Sequence, residues 1–166
     1  LSLSNFEEES DTAMRAGFEL KGSRESISLA DWEPLRALIA WQEQSSDRAF
    51  VRDAETYVNI ENTVDFWIFA NLITGYDQLA KNVYYIARVE NGAYRFYFAP
   101  WDMDLTFGYT SDPDFPWGTK YESYLYENYI WWEPGNRLMK TDAAGARTLA
   151  QERYASHREP VQTDEW

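Results

Sequence analysis

The side chains most able to do chemistry in this sequence are carboxylates and one amide in its middle part. Asp77 is followed by Asn82, and Asp102 and Asp104 come later, after a stretch rich in β-forming residues. Phosphoryl transfer needs a divalent cation that neutralises phosphate charge, and a carboxylate that orients and deprotonates the attacking hydroxyl. Mg²⁺ prefers hard oxygen ligands and usually takes one or two carboxylates from the protein. These residue types therefore indicate metal-assisted chemistry on phosphate groups.

The order of these residues matches the order found in protein kinases. There an Asp, an Asn five positions later, a β-hairpin and a metal-binding Asp follow one another. Asn91-Gly92 is the preferred dipeptide of a tight primed turn, so it predicts a hairpin between Asn82 and Asp102. A hairpin brings its two ends together, so we expect Asn82 and Asp102 to face one ion, with Asp77 as the catalytic base. The D-x-x-x-x-N spacing alone is common, and the prediction depends on the ordered combination.

Helices and one hairpin are expected to position these residues. Cap signals, hydrophobic periodicity and turn residues define each element. The predicted helices cover 28–44 (with Ser28 or Asp31 as cap), a short segment to 51, 62–72, a short segment near 121–129, and 142–158; the predicted strands cover 18–21, 83–89 and 94–98. This mixture predicts an α+β fold, which we assign to a single domain over 1–166.

The helix over 62–72 leads into the loop that carries Asp77. Asn62 is predicted as its N-cap, and Asp65 in the first turn suits the positive end of the helix dipole. Gly75 ends the helical pattern. The apolar side chains predicted on one face are Val64, Ile68 and Leu72. We expect this helix to be packing scaffold that aims the following loop.

The composition limits the classes of partner and site. Lys and Arg number 15 against 28 Asp and Glu, so the net charge is -13. Such a field repels nucleic acid and anionic membrane and favours cations or basic protein segments. The alternative interpretation is that the charge serves only solubility. There are no cysteines and one histidine, which excludes disulfides, thiolate metal sites and a His-rich zinc site. No apolar run reaches membrane-spanning length, so membrane insertion is not expected.

One long motif resembles a known family. The run 97–108, YFAPWDMDLTFG, resembles the PWDxDxxFG signature of the CotH kinase family, named for spore-coat protein H. Upstream, 64–68, 76–77 and 81–85 resemble the family's helix, N-x-D element and N-Y-Y strand, although Thr74-Gly75 replaces the usual polar lead-in. The resemblance is best over 57–108 and weak in the helices predicted toward the C-terminus.

The resemblance implies an atypical protein kinase fold, of which this chain would be the part like a C-terminal lobe. It implies ATP as donor, Mg²⁺ or Mn²⁺ as cofactor, and serines of a protein as acceptors; a basic acceptor would suit the charge. Asp77 corresponds to the family's catalytic Asp, whereas Asn82 and Asp102 correspond to its residues that hold the metal and nucleotide. Asp104 corresponds to a second acidic position, which would ligate a second ion or support Asp102. Strand geometry permits this, because residues i and i+2 of a strand point to the same side. Family members are commonly exported, on the cell surface or in the spore coat.

The chain departs from the family pattern in one respect, and this leaves alternatives open. The nucleotide pocket also needs an upstream lobe with a phosphate-gripping lysine, and no Gly-rich loop occurs here. We therefore expect a partial domain that lacks this lobe, and that alone is inactive or binds metal without turnover. The second hypothesis is a non-catalytic surface or spore-coat binding module, like an adhesin, with a retained metal site. A third is a carbohydrate-active enzyme that uses Asp102 and a partner carboxylate.

Overall fold

The computed structural model describes residues 14–15, 18–21, 28–73, 75, 82–104, 106 and 134–161. The described part has five α-helices and two two-stranded antiparallel sheets, which confirms the predicted α+β class. The elements are β1 (Met14–Arg15), β2 (Phe18–Glu19), α1 (Glu33–Gln44), α2 (Asp47–Tyr57), α3 (Ile60–Leu72), β3 (Val83–Glu90), β4 (Ala93–Pro100), α4 (Gly135–Thr141) and α5 (Ala146–Val161). Asp77 and the short helix predicted near 121–129 lie outside the described residues.

The chain divides into two compact units, Leu1–Phe50 and Val51–Trp166. In the first unit, α1 begins after a 3-10 turn (Leu29–Trp32), and Pro34 occupies its first turn, where the missing N–H costs nothing. Trp41 of α1 stacks on Phe50, with the ring centroids 4.2 Å apart. The core side chains of this unit are Trp32, Leu35, Leu38, Ile39, Trp41 and Phe50. The assignment of 1–166 to a single domain stays a prediction.

In the second unit, α3 begins at Ile60, and its N-cap lies three residues before the predicted one. Its N-cap is Asn59, whose Oδ1 accepts a hydrogen bond from the backbone N–H of Asn62 at 2.8 Å. The prediction of Asn62 as the cap was wrong, because both asparagines have the right chemistry and only the earlier one precedes the first helical residue. Asp65 therefore lies in the second turn. The prediction for the packed face was also wrong at Leu72, which is 65% exposed, although Val64 is buried.

The predicted hairpin is confirmed and slightly longer than expected. Strands β3 and β4 pair in register from Val83 opposite Pro100 to Glu90 opposite Ala93. Asn91 and Gly92 both have positive φ, 51° and 79°, as a primed turn requires. The buried side chains of the hairpin are Phe96 and Phe98 of β4. Phe98 meets Phe66 of α3, with ring centroids 6.3 Å apart, and this contact packs the hairpin on α3.

The two C-terminal helices complete the packing of α3. Asp142 accepts a hydrogen bond from the backbone N–H of Arg147 at 3.0 Å. A 3-10 turn (Ala143–Gly145) separates it from Ala146, where α5 begins, so the prediction that Asp142 directly precedes and caps this helix was wrong. Arg153 of α5 forms ion pairs with Glu61 and Asp65 of α3, at 3.2 and 3.3 Å. Helix α4, which precedes α5, contributes the buried side chain of Leu138. None of the helices in the described ranges combines the length and apolar character of a segment that crosses a bilayer.

Candidate metal centre

The hairpin register brings Asn82 next to the segment of Asp102. Beyond the last pair, Val83 opposite Pro100, the ladder extends by one bond from the Trp101 N–H to the Asn82 carbonyl, at 3.0 Å. The Asn82 side chain then donates from Nδ2 to the backbone carbonyl of Asp102, at 3.2 Å. Two hydrogen bonds thus join Asn82 to Trp101 and Asp102, which lie 19 and 20 positions later in the chain. Asn82 therefore lies next to the Asp102 segment, as the hairpin predicted.

The chain changes direction at Asp102. This residue has φ of 50°, in the left-handed region, which Asp and Asn adopt more readily than other residues with a side chain. Strand β4 has already ended at Pro100, so the strand alternation expected to put Asp102 and Asp104 on one side does not apply. Both residues are exposed. The open end of the hairpin therefore carries two exposed acidic residues within three positions.

Two apolar side chains flank Asp102 at this end. Trp101 is 55% exposed and Met103 is 48% exposed. The Trp101 ring meets Tyr84 of β3 edge-on, with centroids 5.1 Å apart and 61° between the planes. The indole is therefore held against the hairpin on one side while the rest of it faces solvent beside the carboxylates.

The donor set at this end fits a hard divalent cation. The amide nitrogen of Asn82 donates to the Asp102 carbonyl, so the atom that this amide can offer to a cation is Oδ1. The other candidate ligands are the exposed side chains of Asp102 and Asp104. Mg²⁺ completes such a set with phosphate oxygens and water. Within the described ranges, no cluster of three or more His, Cys, Asp or Glu side chains could hold a metal ion. The set here has two carboxylates and one amide, so the assignment of these three residues stays a prediction.

The predicted catalytic base follows the end of α3. Gly75 donates its backbone N–H to the carbonyl of Ala70 at 2.8 Å, a six-to-one bond typical of a helix terminated in the Schellman manner. Gly75 therefore ends the helix as predicted. Asp77 comes two positions later, outside the described residues, and its distance from Asn82 and Asp102 stays a prediction.

Sequence reasoning missed the role of Asn62. Instead of capping α3, its side chain forms two hydrogen bonds with the backbone of Phe98 in β4. The only signal in the sequence is that Asn59 and Asn62 both precede the apolar part of α3, so that one cap position has two candidates. Two asparagines at this spacing leave one side chain available for a tertiary contact.

The opposite end of the hairpin holds a different polar cluster. Glu90 accepts a hydrogen bond from the Tyr97 hydroxyl at 2.6 Å and forms an ion pair with Arg95 at 3.0 Å. The guanidinium of Arg88 lies 4.8 Å from the centre of the Tyr97 ring. The hydrogen bond to the Glu90 carboxylate is the main cause that raises the pKa of Tyr97, because ionised phenolate could no longer donate to it.

Comparison with known families gives one match. The family model described as CotH kinase protein matches residues 2–158 of the 166. Neither curated proteins nor solved structures give a match. The matched range contains every residue of the candidate centre.

Proposed function

Because this chain belongs to the CotH kinase protein family, we propose that it carries the metal-binding and catalytic half of an atypical protein kinase. The proposed reaction moves a phosphoryl group from ATP to a serine hydroxyl of a protein, with Mg²⁺ or Mn²⁺ as cofactor. The net charge of -13 favours an acceptor with basic segments.

The observation that carries the proposal is the junction of Asn82 with the Asp102 segment. A family signature alone indicates ancestry, whereas this junction brings an amide and a carboxylate-bearing turn together from two strands. Hard oxygen donors at one exposed end are what a cation bound to nucleotide phosphates needs. The roles follow from this chemistry: Asn82, Asp102 and Asp104 hold the cation, and Asp77 serves as the base.

The proposed reaction is an in-line displacement. The serine oxygen forms a bond to the γ-phosphorus of ATP while the bond from that phosphorus to the bridging oxygen breaks, and ADP leaves. Asp77 orients the hydroxyl and takes its proton. A bound cation supplies neutralisation of phosphate charge, and the protein contributes mainly by positioning.

Calorimetric titration of the chain with ATP in the presence of Mn²⁺ tests the metal assignment. The informative variant is Asp102→Asn, since Asn also tolerates the left-handed backbone and only the charge is removed. The matched control is Glu55→Gln, which removes one exposed charge of α2. Loss of outer-shell groups weakens metal sites by about 10- to 100-fold, so loss of a direct ligand is expected to cost at least about tenfold in affinity.

The possible results separate the hypotheses. Weaker binding by Asp102→Asn, with Glu55→Gln equal to the parent, supports the assignment. Equal binding by all three proteins contradicts it. Binding of Mn²⁺ and ATP by the parent without transfer to any serine-containing basic peptide would favour the binding module with a retained metal site.

A further inference from the structure

The Asn62 side chain lies along β4 in the way that a neighbouring strand would. Its Oδ1 accepts from the Phe98 N–H at 2.6 Å, and its Nδ2 donates to the Phe98 carbonyl at 3.1 Å. Both atoms are part-buried, and the two residues are 36 positions apart. One amide therefore satisfies both main-chain groups that Phe98 turns away from β3.

The main chain just before α3 makes the same kind of contact one step earlier on β4. Val58 forms a parallel bridge with Phe96, and the Asn59 N–H donates to the Phe96 carbonyl at 2.9 Å. Helix α3 then starts at Ile60, and the main chain leaves the strand edge. At Phe98, the side-chain amide of Asn62 forms the hydrogen bonds that the main chain of this segment formed at Phe96.

This contact is the last on this edge, before the metal end, in which both main-chain groups of a β4 residue can form hydrogen bonds. The next residue on the same edge is Pro100, whose nitrogen carries no hydrogen and cannot donate. Asp102 follows two positions later. The amide of Asn62 is therefore the closest point at which α3 fixes the backbone that leads to Asp102.

We infer that Asn62 is a positioning residue for the metal centre, an inference that rests on the proposed function. It holds the strand that leads to Asp102 on the helix whose other end leads to Asp77. Without it, the N–H and carbonyl of Phe98 lose their partners, and unpaired backbone groups favour local loosening of the strand. The loosening would reach Asp102, and with it the bond from Asn82.

The sharpest variant is Asn62→Asp. It is isosteric, and a carboxylate in the first turn suits the helix dipole, so α3 itself is not weakened. The Phe98 carbonyl, however, loses its donor and meets a second oxygen instead. The matched control is Thr63→Val in the same helical turn: it removes the bond from Thr63 Oγ1 to the Asn59 carbonyl, at 2.7 Å, while the backbone N–H still occupies that carbonyl.

Three measurements on each protein test the inference: thermal unfolding, affinity for ATP with Mn²⁺, and hydrogen exchange at the backbone amides of Phe98 and Trp101. Asn62→Asp is expected to weaken the affinity about tenfold, as loss of an outer-shell contact does. It should also speed exchange at both amides. Thr63→Val is expected to lower the melting temperature and leave the affinity within about twofold of the parent, since the hydrogen bond that it removes goes to the Asn59 carbonyl and not to β4.

Equal loss of affinity in Asn62→Asp and Thr63→Val would overturn the inference, since both would then act only through stability. A parent that does not bind ATP with Mn²⁺ would instead contradict the proposed function. In that case hydrogen exchange still tests the positioning role of Asn62. Unchanged exchange at the Trp101 amide in Asn62→Asp would show that the effect of Asn62 does not reach the metal end.

Discussion

The charged side chains at the two ends of the β3–β4 hairpin have different surroundings. At the turn end, Glu90 is shared between the Tyr97 hydroxyl and the Arg95 guanidinium, and Arg88 covers the Tyr97 ring. Each charge there has a protein partner. At the open end, Asp102 and Asp104 are exposed, and Asp104 has no ion pair among the residues that the structure describes.

This difference separates a polar cluster that stabilises the fold from one that suits a ligand. A carboxylate paired with Arg and a hydroxyl contributes to folding and gains little from an added cation. The exposed carboxylate of Asp104, which has no ion pair with a described residue, contributes little to folding and keeps its capacity to bind a cation. We therefore expect variants at the two ends to change different measurements, stability at the turn end and metal-nucleotide chemistry at the open end.

The largest expected effect belongs to the predicted catalytic base. In a complete protein that includes the nucleotide lobe, Asp77→Asn should lower phosphoryl transfer by about 10²- to 10⁴-fold, the usual contribution of general base catalysis. Binding of ATP with Mn²⁺ should stay within about twofold of the parent, because the base contacts the acceptor hydroxyl and not the nucleotide. Transfer of labelled phosphate to a serine-containing basic peptide, with titration calorimetry on the same samples, measures both. Retained transfer would assign the base to another residue.

A variant at the turn end should lower the stability of the protein and leave its affinity for ATP with Mn²⁺ unchanged. Glu90→Gln removes the ion pair with Arg95 and weakens the bond from Tyr97, so we expect a loss of about 1–2 kcal/mol in the free energy of unfolding. Affinity for ATP with Mn²⁺ should not change. Urea unfolding and calorimetry provide the comparison with Asp102→Asn, for which little loss of stability and a large loss of affinity are expected. Loss of affinity in Glu90→Gln would mean that the two ends are not independent.

Local chemistry made the hairpin predictable. A primed turn requires positive φ at two consecutive residues, and Asn91-Gly92 accepts it readily. This dipeptide therefore fixes the turn and the register, and with them the proximity of Asn82 to the Asp102 segment. The kinase-like order of residues and the PWDxD motif gave the family, which the match over residues 2–158 confirms. The observed strands exceed the predicted ones because pairing continues wherever backbone groups still face each other.

Other features depend on tertiary contacts that no local pattern carries. Asn62 has the chemistry of a helix cap, and only the proximity of Phe98 gives its amide a different use. The left-handed backbone of Asp102 removes the strand alternation on which the placement of Asp104 was argued. Helix α4 was not predicted from periodicity, because it is a seven-residue helix that begins with glycine after Pro134. The position of Asp77 stays a prediction from spacing and family resemblance.

The smallest expected effect is a pH dependence confined to the turn end. Hydrogen bonding to Glu90 raises the pKa of Tyr97 above its ordinary value, so the folded protein holds the phenol proton more tightly than the unfolded chain does. This contribution to stability is complete below the unfolded pKa of about 10, and it is lost as the pH rises through the folded pKa. Tyr97→Phe removes the titrating group, so its melting temperature should fall less steeply than that of the parent above pH ~10. If the melting temperatures of the two proteins fall equally steeply with pH in this alkaline range, the Tyr97–Glu90 bond is not maintained in solution. The Glu90 carboxylate would then lack its hydroxyl partner, and the turn end would resemble the open end with its exposed carboxylates.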